Sequence, residues 1–104
     1  MFARIETCKV KDKKGFHAAL QASILPMAST QPGFVDWMVL TSDYETDRTL
    51  VISLWKSKEE AERFHRETYE RSLAALRSFL KHEPSTNFYE VDASTAHDTN
   101  IKAA

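Results

Sequence analysis

What the chain has little of narrows it first. It carries one cysteine, Cys8, in 104 residues, so no disulfide forms within it and a cysteine-rich zinc cluster lacks its donors. The thiol falls in a predicted strand, without a neighbouring histidine or glycine-rich loop, and reads as an idle, buried sulfur. No charge of one sign dominates: 14 lysines and arginines stand against 15 aspartates and glutamates, a formal net charge of -1. The charges are spread along the chain, with no basic stripe for nucleic acid and no acidic tail for a basic partner. No apolar run approaches the roughly 18 residues of a membrane span, and no signal-peptide pattern, internal repeat or low-complexity segment is visible. These absences lead to an expectation of a cytoplasmic protein that binds no metal, membrane or nucleic acid. Its length gives one domain, over residues 1–93, with a polar, small-residue tail at 94–104 that frays or wraps a partner.

What is present centres on residues 49–65, TLVISLWKSKEEAERFH. Leu50, Val51, Ile52, Leu54 and Trp55 make a short, β-branched-rich run with almost no polar interruption, the pattern of a strand buried on both faces. Ser57 and Glu60 then form the S-x-x-E signature of a helix start. With Lys56 alone between them, the helix folds straight back over its own sheet and carries Phe64 and His65 towards its surface.

The remaining elements fall around this unit. Residues 2–10 read as a first strand, with Phe2, Cys8 and Val10 on one side, Ala3 and Ile5 on the other, and Arg4 and Glu6 as interruptions. Asp12 caps an amphipathic helix with apolar positions 16, 20, 23, 24 and 27, and Pro26 inside it predicts a loosened turn just before. After Gln31-Pro32-Gly33, residues 34–41 read as a second strand. Simple alternation puts Phe34, Met38 and Leu40 on one face and Val35, Trp37 and Val39 on the other. Residues 42–48 join it to the third strand as a hairpin. Helical periodicity runs from Ser57 to about Leu80, with a break expected near residues 67–70 because an unbroken helix of that length overshoots the sheet. Residues 86–92 are a fourth strand.

The order β-α-β-β-α-β predicts an α+β, ferredoxin-like domain: a four-stranded antiparallel sheet with both helices on one face. The second and third strands carry large apolar side chains on both faces, so the open face asks for a cover. A second copy of the chain, sheet against sheet, is the expected cover.

The Gln-Pro-Gly-Phe lead into strand two, the Leu-Trp-Lys-Ser end of strand three, the Glu-rich helix start and the Ala61/His65 spacing together resemble antibiotic biosynthesis monooxygenase (ABM) domains. The resemblance covers about residues 2–92, and Ser94-Thr95-Ala96-His97 resembles the end of one subset of them. It implies a dimeric α+β barrel, a homodimer through the sheet face, with a pocket in each subunit between sheet and helices. It also implies oxygenation of quinol- or polyphenol-like aromatics with no cofactor. On that resemblance His65 is the candidate catalytic residue, as base or hydrogen-bonding group, with Phe34, Trp37, Trp55, Phe64 and Tyr69 as aromatic walls for a small aromatic ligand. A haem-degrading branch of the superfamily is disfavoured, because Phe64, Ala74 and the Glu6-Thr7 region stand where its pattern calls for tryptophan, a haem-ligating histidine and asparagine.

Each of these residues also has a structural reading. Trp37 and Trp55 serve equally as core or interface aromatics, His65 as a partner of a sheet carbonyl, and His97 as a solvated tail residue. His17 and His82 read as surface histidines. Three functions therefore stand side by side: an oxygenase, a dimer that binds a small apolar ligand without turnover, and a structural dimer with a packed interior.

Overall fold

The computed structural model describes residues 1–99, and the remainder of the expected tail, 100–104, lies outside the described residues. Strands β1 (Phe2–Lys9), β2 (Phe34–Thr41), β3 (Arg48–Trp55) and β4 (Ser85–Glu90) form one sheet in the order β2-β3-β1-β4. Every pairing is antiparallel, and the helices pack on one face, as the ferredoxin-like pattern predicts.

Asp12 caps the first helix, α1 (Lys13–Ala19), by accepting from the Gly15 amide at 3.0 Å. Pro26 has no amide proton for Ala22, and the helix widens just upstream into a π turn over Leu20–Ile24, where the Leu25 amide reaches back to the Leu20 carbonyl. A short α2 (Leu25–Ser29) follows. The expected loosening before Pro26 is thus a π turn.

Gly33 adopts φ +84°, a conformation open to glycine at little cost, and a Cβ there would run into the Glu60 carboxyl. Ser57 caps α3 (Lys58–Leu76) by accepting from the Glu60 amide at 3.2 Å. The return arm differs from the usual box: the Ser57 hydroxyl itself donates to Glu60 Oε1 at 3.0 Å. No break occurs at 67–70. Nineteen helical residues span about 28 Å at 1.5 Å each, nearly the length of an eight-residue strand. The surplus tightens into a 3₁₀ turn over Arg77–Phe79, so the overshoot is absorbed at the end of the helix.

A β-bulge corrects the assignment of faces on β2. Phe34 pairs with Trp55 and Asp36 with Leu54, leaving Val35 as the extra residue. The slip turns Phe34 to the helix side with Trp37, and Val35 to the open face, where it packs with Met1, Ala3 and Leu54. Trp55 is fully buried between Phe34, edge-on at 5.6 Å, and Phe64, stacked at 4.8 Å, with its N–H on Ser53 Oγ at 2.9 Å. Burying one such ring removes roughly 200 Å² from water, on the order of 5 kcal/mol by area. A second cluster around Phe16, Leu20, Val51, Leu73 and Leu76 fills the other end of the helix layer. Cys8 belongs to it, and burial pushes its thiol up to about 12, which leaves the sulfur inert as expected.

Candidate functional site

The even positions of β1 face the helices, and two of them are charged. Arg4 and Glu6 are 4% and 5% exposed, and Arg4 Nη2 meets Glu6 Oε2 at 3.0 Å. Burying such a pair is favourable only when the remaining donors and acceptors are also used. Thr86 of β4 donates to Glu6 Oε2 at 3.4 Å. On the other side Arg4 directs Nε (3.2 Å) and Nη2 (3.0 Å) at Nδ1 of His65, and its guanidinium lies 5.4 Å from the Phe64 ring centre. Strands β1 and β4 and helix α3 therefore converge on one imidazole.

That geometry decides the state of His65. A guanidinium has donors only, so Nδ1 must present its lone pair and the proton of a neutral ring must sit on Nε2. Burial lowers the His65 pKa below the ordinary 6.5, the Arg4 charge lowers it further, and Glu6 acts in the opposite sense. The ring is half-buried, with Tyr69 one turn along α3 at 4.9 Å and Phe88 of β4 edge-on at 5.8 Å. The Tyr69 hydroxyl donates to Glu83 at 3.4 Å, and burial followed by the Glu83 charge raises its pKa. A neutral N–H donor backed by a buried cation and flanked by aromatic rings suits an oxygen on which negative charge develops.

Sequence expectation and structure overlap in part here. His65 and Tyr69 lie together between α3 and β4. Phe64 lies behind them under Arg4, and it joins Phe34 and Trp55 in the closed aromatic block. Trp37 packs against the same block and also lines a cleft at the β2 edge. Arg4, Glu6, Thr86 and Phe88 were not among the expected residues. The signal for Arg4 and Glu6 was present in the sequence, since opposite charges two apart interrupt the apolar side of strand one between Phe2 and Cys8.

The described part of the tail turns back over its own chain. Ser94 Oγ accepts from the amides of Ala96 and His97 at 3.1 and 3.0 Å, and His97 Nε2 reaches Asp36 Oδ2 at 2.7 Å. Asp36 shares the open face of the sheet with Met38, so the tail lies away from His65. Among the described residues no cluster of three or more histidine, cysteine, aspartate or glutamate side chains is placed to hold a metal ion.

No family model matches the chain, and no curated protein matches it. Solved structures do. SnoaB, a cofactor-independent oxygenase from Streptomyces nogalater, superposes with TM-score 0.74 at 15% identity, over 92% of this chain and 97% of that one. The ActVA-Orf6 monooxygenase of Streptomyces coelicolor, in complex with nanaomycin D, gives TM-score 0.69 at 20% identity, over 89% and 88%. A Bordetella bronchiseptica protein named after the antibiotic biosynthesis monooxygenases gives 0.74 at 12% identity, over 88% and 97%. With near full-length superposition on these structures, the chain has the antibiotic biosynthesis monooxygenase domain fold.

Proposed function

We propose that the protein is a small oxygenase of quinol- or polyphenol-like aromatics that works without a cofactor, as a homodimer through the open sheet face. The observation that carries this reading is the pair of N–H groups that Arg4 directs at His65 Nδ1. It leaves Nε2–H as donor to a substrate oxygen, and Arg4 as a buried positive charge close behind it. Both stabilise a phenolate over its phenol, and a phenolate is the species that passes an electron to dioxygen. Recombination at carbon and loss of water then converts a ring CH₂ and O₂ into C=O and H₂O, so the substrate supplies all the electrons. His65 is on this reading a hydrogen-bond donor and charge stabiliser; a base at Nδ1 would first have to break from Arg4. On this reading Tyr69 and Phe88 flank the substrate oxygen at His65, while Phe34, Trp55 and Phe64 form the packed block behind it.

The dimer rests on the open face. Met38 and Leu40 are 41% and 46% exposed there, opposite half-buried Ile52 and Leu50, and Tyr89, 53% exposed, stands on the same face at the β4 edge; a second copy would cover these apolar side chains. The test is oxygen uptake across a panel of hydroquinones, anthrone-type ketones and flavonols. Turnover that disappears in His65→Ala, with the dimer retained by light scattering, supports the oxygenase. No uptake with any member of the panel removes it, and saturable thermal stabilisation without uptake would instead favour a binding protein.

A further inference from the structure

The tail lies on the same sheet face that the homodimer reading gives to a second copy. Just past β4, the Val91 amide donates to the Met1 carbonyl at 2.9 Å, and the Val91 side chain joins Val35 against Met1, Ala3 and Leu54 on the open face. His97 then reaches Asp36 of β2 at 2.7 Å. Strands β4 and β2 are the opposite edges of the sheet, three strand spacings or about 14 Å apart. The six-residue step from Val91 to His97 spans at most about 20 Å, so the tail crosses the open face directly, with its slack folded into the Ser94 turn. Burial follows the crossing. Met1, Ala3 and Leu54 at that end are 1%, 6% and 8% exposed, whereas Met38 and Leu40 at the other are 41% and 46% exposed.

We propose that residues 91–97 form an autoinhibitory strap on self-association, which a second copy must lift before the two sheet faces can close on each other. The inference rests on the homodimer reading of this face. Exclusion is one reason: a tail lying over β1 and β3 fills the space that the second copy's side chains would enter, since packed sheets stand only about 10 Å apart. Area is the other. Four strands of six to eight residues make a flat face of about 500 Å², modest beside the roughly 800 Å² per partner of a standard interface. The strap withholds roughly a third of it, at the end where β1 starts and β3 finishes. Its tie is weak enough to yield. The His97–Asp36 contact is partly exposed and contributes little in water, so a complementary apolar surface competes with it.

The experiment is sedimentation equilibrium on the full chain, on Ser94→Ala with His97→Ala, and on Met38→Glu with Leu40→Lys as the control for the sheet face. The tail changes remove the Ser94 turn and the tie to Asp36 without touching the packed interior, and circular dichroism verifies the fold. Loosening the strap should tighten the dimer by on the order of five-fold. A second readout uses the unaltered chain: cleavage within residues 93–99 by a broad-specificity protease should speed up as protein concentration rises through the dissociation constant, because each dimer formed frees its straps. The proposal is overturned if the tail variant associates no more tightly than the unaltered chain, or if association protects the tail, which would make the strap part of the interface. Failure of the strap and failure of the dimer look different. A dimer that the control abolishes and the tail changes leave unaltered overturns the strap alone, whereas no association in any chain overturns both.

Discussion

Arg4 and His65 are 61 positions apart in the chain and meet through two guanidinium N–H groups on one imidazole nitrogen. The contact couples the protonation of a half-exposed ring to a charge buried in the central strands of the sheet. It exists only while the histidine is neutral.

A pH dependence follows. The unfolded chain binds the His65 proton more readily than the folded one, so stability rises with pH across this titration. The stabilising contribution is complete above the ordinary 6.5 and is lost as pH falls through the lowered folded value. Melting temperature should therefore drop from about pH 7.5 to 5, above the range where carboxylates protonate. In His65→Gln that slope should largely vanish. Parallel slopes in the two proteins would show that another group carries the effect.

Removing Arg4 should cost far more than removing His65. Arg4→Met leaves Glu6 buried without its counter-charge, a loss of about 3–5 kcal/mol. Replacing both, Arg4→Met with Glu6→Met, should recover most of it, because the desolvated carboxylate goes too. Urea unfolding midpoints of the two single variants and the double variant measure the coupling. Additive losses would contradict it.

Gly33 is held by conformation and by a neighbour. Gly33→Ala should destabilise by about 1–3 kcal/mol through its positive φ and the collision with Glu60. Adding Glu60→Ala should return part of that loss despite removing one arm of the helix cap. If the double variant is worse than the sum of the single ones, the collision is not what limits the site.

The open sheet face predicts an oligomer whose formation depends on β2. Met38→Glu combined with Leu40→Lys should give a folded monomer by light scattering, with helix content unchanged by circular dichroism. A wild-type chain that is already monomeric at micromolar concentration would refute the dimer directly.

His97 and Asp36 form a partly exposed contact at the surface, worth about 0–1 kcal/mol. His97→Ala should hardly alter the unfolding midpoint. It should, however, speed proteolytic cleavage within residues 93–99, because the pair ties the described tail to β2. Unchanged cleavage would show that the other tail contacts suffice.

Period and punctuation were enough for most of the architecture. The apolar run ending at Trp55, the cap at Ser57 and the turn at Gly33 each act within a few residues, so the sequence carries them openly. They determined four strands, two helical regions, their order and the antiparallel sheet. The loosened turn before Pro26 was legible for the same reason, since a missing amide is a local fact. Depth of burial and the meeting of distant elements were settled only in three dimensions. One bulged residue, Val35, exchanged the faces of Phe34 and Val35, because a side-chain period of two inverts with a single inserted position. Trp55 became core because two aromatics from different elements closed on it. His65 acquired its tautomer from an arginine on the far side of the sequence. Charge state and hydrogen-bonding capacity depend on what surrounds a group, and the tertiary fold alone decides those surroundings.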